Sequence, residues 1–206
     1  MDILTEMSEN YSEAIFGRAL LNLLPGGSSI DLLLASRFES YKKARAEDLI
    51  RSFNNELKRL DASKVDMVFL ASEEFYDIVQ RILYDSIASR MHEKRIAYAK
   101  STIDYLENPT NIFDLEETIN CISNIRERDL LYCKAIAKII KVKSEFSAVD
   151  FVGMLGDMDY SEEEIKKHLY RLANLDIIDY PRNTLTISPV FHITSLGNKL
   201  LSYWNV

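Results

Sequence analysis

The stretch from Ser161 to Trp204 constrains the chain most, because several different local signals follow one another in it almost without a gap. Ser161 with Glu164 has the form of a capping box, so a helix is predicted to start there. Ile165, Leu169, Leu172 and Leu175 then recur at steps of three and four and form the buried stripe of that helix. Ile177-Ile178-Asp179-Tyr180 reads as a strand, followed by the turn Pro181-Arg182-Asn183. Leu185-Thr186-Ile187 alternates as a second strand and Phe191-His192-Ile193 reads as a third. Thr194 caps a final helix that runs through Leu196, Leu200 and Leu201 to Trp204.

Upstream of this stretch the pattern is helical. Residues 2–24 place Ile3, Met7, Tyr11, Ile15, Leu20 and Leu24 at near-helical spacing, and Leu24-Pro25-Gly26-Gly27 ends the helix. The segment Ala19–Leu24 is apolar on more than one face, and burial among neighbouring helices is favoured over a membrane or partner contact. Ser28 or Ser29 caps a second helix reaching about Leu60, with the stripe Ile30, Leu34, Phe38, Tyr41, Leu49, Phe53, Leu57 and Leu60. Its outer face mixes Lys42, Lys43, Glu47, Asp48, Glu56 and Lys58, the composition of a solvated surface.

The run VDMVFL over 65–70 is apolar and of open type. Ser72 caps a third helix, with Glu73 and Glu74 in its first turn. Its stripe breaks period between Met91 and Ile96, where a kink or a change of packing partner is expected, and it ends by Asn108-Pro109. Asp114 with Glu117 starts a fourth helix carried to about Lys143 by Leu115, Ile119, Ile122, Leu130, Cys133, Ala137 and Ile140. Three helices of this length, joined by short turns, predict an elongated antiparallel bundle over residues 1–143 of a mainly α chain.

Arg45 and Arg95 fall in or beside the apolar stripes, where an unpaired charge is costly. Two readings stand: interhelical ion pairs that set the bundle register, or arginines that reach out to water.

Composition narrows the function classes. A hydrophobic fraction of 47% with 28% charged residues is an ordinary globular balance, and a net charge of −7 gives no general attraction for phosphates. No run approaches the roughly 20 apolar residues of a membrane span. Asp2, Glu6 and Glu9 stand where a secretory signal needs a basic start. Cys121 and Cys133 lie on the fourth helical pattern, about 18 Å of rise apart on one helix, too far for a disulfide between them. Two buried thiols fit a reducing compartment, so a cytoplasmic protein is expected.

No motif in the sequence supports catalysis. His92, His168 and His192 have no second histidine or cysteine at metal-ligand spacing, and each reads as an ordinary surface or edge residue. Pro25-Gly26-Gly27-Ser28-Ser29 precedes a helix but lacks the lysine and spacing of a phosphate loop. Glu47-Asp48, Glu73-Glu74 and Glu116-Glu117 sit at helix starts or on outer faces. No catalytic residue, cofactor or metal ligand is assigned, and a non-enzymatic protein is expected.

From Ser144 the elements shorten. Ser147 caps a helix of about two turns through Val149, Val152 and Leu155, ended by Gly156, and Asp157-Met158-Asp159-Tyr160 forms a turn before the capping box. Ile165, Leu169, Leu172, Leu175 and Ile177-Ile178 resemble the recognition helix and wing entry of winged-helix proteins. Phe191-His192-Ile193-Thr194-Ser195-Leu196-Gly197-Asn198-Lys199-Leu200-Leu201 resembles the wing exit and closing helix of the MarR- and PadR-like members. The stretch from Pro25 to Ile103 resembles uncharacterised helical proteins of bacteria, which implies no function.

A winged-helix-like domain over 144–206 implies contacts from Lys166, Lys167, Tyr170, Arg171 and Asn174 on the second helix, and from Arg182 and Asn183 in the turn. The charge argues against DNA. Glu162-Glu163-Glu164 opens the helix, and residues 144–206 hold nine acidic against five basic side chains. The reading is therefore a non-enzymatic interaction or regulatory protein of bacterial type that docks a protein partner through this domain. The alternative is a DNA-binding transcriptional regulator. A homo-oligomer is expected, with the amphipathic helices of the bundle forming a dimer, and membrane contact is disfavoured.

Overall fold

The structure is a computed structural model that describes residues 37–60, 65, 67–70, 72–109, 111–155, 161–181 and 189–204. Several predicted features fall outside them: the helix over 2–24, the apolar segment Ala19–Leu24, the glycine turn, Ile30, Leu34 and the strand Leu185–Ile187. The described residues are mainly helical, with eight α-helices and a small three-stranded antiparallel sheet. They divide into two compact units at Ile119/Asn120, earlier than the change of pattern at Ser144.

The first unit contains α1 (Arg37–Leu57), α2 (Met67–Leu70), α3 (Glu73–Ala88), α4 (His92–Glu107) and the first part of α5 (Ile112–Asn124). α1 packs against α3 and α4 through Leu49, Phe53 and Leu57, all buried as their spacing predicts. Tyr41 departs from that stripe and is 70% exposed, because residues 40–44 all face water. The open run at 65–70 contains the short helix α2, with Val68 exposed and Phe69 set edge-on against Phe75 at 5.3 Å.

Ser72 caps α3 by accepting from the Phe75 amide at 3.2 Å. The expected break in the third helix is a full interruption: α3 ends at Ala88 and α4 begins at His92. The freed carbonyls at the end of α3 are taken by two arginines from other elements. Arg45 of α1 donates to the Ile87 and Ala88 carbonyls at 2.7 and 3.2 Å. Arg95 of α4, buried, donates to Ser89 at 3.1 Å and to Ser86 at 3.4 Å. Arg95 also donates to Asp48 of α1 at 2.5 Å, and His92 Nδ1 lies 2.7 Å from the same oxygen. Burial alone pushes the Asp48 carboxyl up, but the bonds from His92 and Arg95 outweigh it and hold it below the usual carboxylate range. Thus Arg95 forms an interhelical ion pair, whereas Arg45 is a helix-end donor and forms none among the described residues.

The fourth predicted helix differs more. Asn111, not Asp114, provides the start: its side chain accepts from the Phe113 amide at 3.1 Å, and Asp114 lies within the first turn of α5. The helix is also interrupted at Ile125–Arg126, giving α5 and α6 (Glu127–Ile139). The Asp129 carboxylate accepts from the Arg126 amide at 2.9 Å and so starts α6 in the middle of a continuous apolar period. Cys121 and Cys133 therefore belong to different helices; both are buried and neither is in a disulfide. Burial raises the Cys133 thiol far above its ordinary value.

The second unit joins the end of α5 and α6 to β1 (Glu145–Phe146), a 3-10 turn (Ala148–Phe151), α7 (Glu162–Asn174), β2 (Ile178–Asp179), β3 (Phe191–Ile193) and α8 (Ser195–Tyr203). β3 is central, pairing antiparallel with β1 (Phe146 opposite Phe191) and with β2 (Ile178 opposite Ile193). The expected two-turn helix after Ser147 is the 3-10 turn instead, with a period near three. Ala148 and Phe151 face the core, and Val149 and Val152 are exposed, the reverse of the helical reading. Lys143 pairs with Asp150, whose carboxylate also accepts from the Ser147 amide at 2.7 Å.

Among the described residues no helix is long and apolar enough to cross a membrane.

Candidate functional site

α7 is built from both ends by local bonds. At its start the Ser161 hydroxyl accepts from the Glu164 amide at 3.3 Å, and Glu164 accepts from the Ser161 amide at 3.0 Å. The Ser161 amide and hydroxyl hold the Glu164 carboxyl below its ordinary value. At its end the Asp176 amide donates to Ala173 at 3.1 Å and the Ile177 amide to Leu172 at 3.0 Å. That is a Schellman closure, with Asp176 at φ 56° where glycine is usual. Ile165, Leu169 and Leu172 are buried between these ends, so the stripe predicts the inward face of α7 correctly.

The C-terminal helix is tied to the same corner. Thr194 caps α8 by accepting from the Gly197 amide at 2.8 Å, and its hydroxyl donates towards the Asp176 and Ile177 carbonyls at 2.5 and 3.1 Å. A Cβ on Gly197 would stand 1.9 Å from the Ile177 oxygen, so only glycine fits this approach.

The residues expected to contact a partner have unequal fates. Lys166 is half-buried and its Nζ lies 2.7 Å from Glu162. Lys167 is exposed and contributes to keeping Glu164 ionised. Arg171 turns to α6: its Nε lies 2.9 Å from Asp129 Oδ2, and an Nη donates to the Asn124 carbonyl at 2.7 Å. Asn174 is exposed, and Arg182 and Asn183 lie outside the described residues. The exposed Glu162, Glu163 and Glu164 remain at the helix start, where they match the macrodipole.

Tyr170 is the other outward residue. It is 37% exposed, and its ring stands edge-on to Tyr180 at 5.1 Å and to Phe191 at 5.8 Å. Val190, next to Phe191, is also exposed. The outward side of α7 thus presents a packed aromatic edge beside carboxylates, with Lys167 and Asn174 as its further polar groups.

Two residues of the network were not expected from the sequence. Asp129 is 1% exposed and receives both Arg171 and the Arg126 amide, which offsets the cost of burying its charge. His168, read as exposed, is half-buried and stacks on Tyr132 at 4.7 Å and 21°. The only local signal for Asp129 is its position three residues after Arg126, that of a helix-starting carboxylate. Among the described residues no group of three or more His, Cys, Asp or Glu is placed to hold a metal ion.

Comparisons with protein-family models, curated proteins and solved structures find no match.

Proposed function

We propose that the C-terminal unit is a winged-helix-like docking module of a non-enzymatic interaction or regulatory protein, and that α7 with the Tyr170–Tyr180 edge receives a protein partner. The element order supports the fold reading: α6, β1, a short turn, α7, β2 and β3, with β3 between β1 and β2. In this reading α6 supplies the first helix of the module. The two buried cysteines, neither in a disulfide, support a cytoplasmic setting.

One observation carries the choice of partner: two of the three lysine and arginine side chains of α7 are committed to acids of the same chain. Lys166 pairs with Glu162 and Arg171 with Asp129, and three carboxylates occupy the helix start that a phosphate would need. A packed, partly exposed aromatic residue is instead the usual anchor of a protein interface. The alternative, a DNA-binding regulator, draws on the exposed Lys167 and Asn174. A salt titration of the full chain with duplex DNA separates the two. Protein docking predicts no retention at low salt. Retention that falls steeply with salt and is lost in Lys167→Ala favours DNA.

Self-association belongs to the same proposal, supported by the exposed Tyr41, Tyr84 and Phe113 of the helical unit. Sedimentation that finds only monomer at micromolar concentration removes it.

A further inference from the structure

The His168 ring lies flat on Tyr132, joining α7 to α6 by an aromatic stack. Its Nδ1 is closed off from water and has no hydrogen-bond partner among the described residues. The nearest carboxylate oxygen, Asp129 Oδ1, is 3.8 Å away, beyond bonding distance. The Asp129 carboxylate already receives Arg171 Nε and the Arg126 amide. A neutral ring can leave Nδ1 unprotonated, whereas an imidazolium cannot. A second proton, on Nδ1, has no acceptor of its own.

We infer that His168 makes the packing of α7 on α6 acid-sensitive, the neutral ring holding the two helices together and the protonated ring loosening them. The charged groups acting on the ring decide the sign. From α6 these are Arg128 and Asp129, and from α7 Arg171. Glu164, one turn earlier on α7, is committed to Ser161. Asp150 of the 3-10 turn is committed to Lys143 and Ser147, and Asp179 of β2 accepts from the Tyr180 amide. Two arginines therefore oppose an imidazolium, and the one carboxylate near it among the described residues is shared.

Burial, followed by Arg128, holds His168 below its ordinary value, and Asp129 opposes them without prevailing. The unfolded chain then takes up the proton first. Stability is complete above the ordinary histidine value of about 6.5 and is lost as the pH falls from there towards the folded value. Each unit of depression is a tenfold loss in the folding constant. This inference does not depend on what α7 binds.

The test uses the full chain. The ring C–H resonances of the three histidines are followed by NMR from about pH 8 to pH 5, with His92→Gln and His192→Gln assigning the signals. His168 is expected to titrate below about 6.5; a midpoint at or above that value overturns the inference. His168→Phe keeps a stacking ring and removes the proton site. Its urea midpoint is expected to fall less than that of the wild type between about pH 7.5 and 5.5, and equal falls overturn the inference. If His168→Phe does not fold, the NMR midpoint alone decides.

Discussion

Arg171 Nε lies 2.9 Å from Asp129 Oδ2, so the arginine of α7 is committed to α6. Of the pair, Asp129 is the buried member and Arg171 the half-buried one. Their substitutions should therefore be unequal. Arg171→Ala leaves a carboxylate without its cation in a closed site and should cost roughly 3 kcal/mol. Asp129→Asn lets the guanidinium reach water and should cost less. Urea unfolding of both variants at neutral pH checks the order; equal costs would contradict it.

Gly197→Ala places a methyl group against the Ile177 carbonyl, a backbone atom held by the Thr194 amide and hydroxyl. Something in that corner must move, and overpacking of this kind costs about 1–3 kcal/mol. The melting temperature should drop while the helical content at low temperature stays unchanged.

Asp176→Gly should act in the other direction. Asp176 adopts a left-handed φ of 56° to close α7, and a non-glycine residue there carries a steric penalty of roughly 1 kcal/mol. Its side chain is exposed, so little is lost with it. Thermal denaturation should show a gain of about that size.

Asp48 gives a pH prediction for the helical unit. Its folded carboxyl lies below the ordinary value, so its contribution is present above that value, about 3.9, and is lost as the pH falls through the lower folded one. Asp48→Asn leaves the buried Arg95 without its carboxylate and should cost roughly 2–3 kcal/mol at pH 7. The gap between variant and wild type should narrow towards pH 3. Asp150 and Glu164 titrate in both proteins, so the difference isolates Asp48.

The parts legible in the sequence are those fixed within one turn of chain. Ser72, Ser161 and Thr194 each cap the helix they precede, because the bond spans three residues. The stripe of α7 places Ile165, Leu169 and Leu172 in the core for the same local reason. The interruption at Ile125–Arg126 was hidden because apolar residues keep helical spacing on both sides of it. Tyr41 shows the limit of a stripe: periodicity says which residues share a face, and a neighbour decides whether that face is covered. Arg171 looked like a contact residue because its partner lies 42 positions away, a distance no local pattern spans.

The central claim is that the outward side of α7 meets a protein. The most direct measurement replaces Tyr170 by a photo-crosslinking residue in the full chain and irradiates cells, with the same residue at the exposed Ser202 of α8 as reference. The account predicts a discrete protein adduct from position 170 and none from position 202. Adducts to DNA from position 170, or no adduct above the reference, would contradict it.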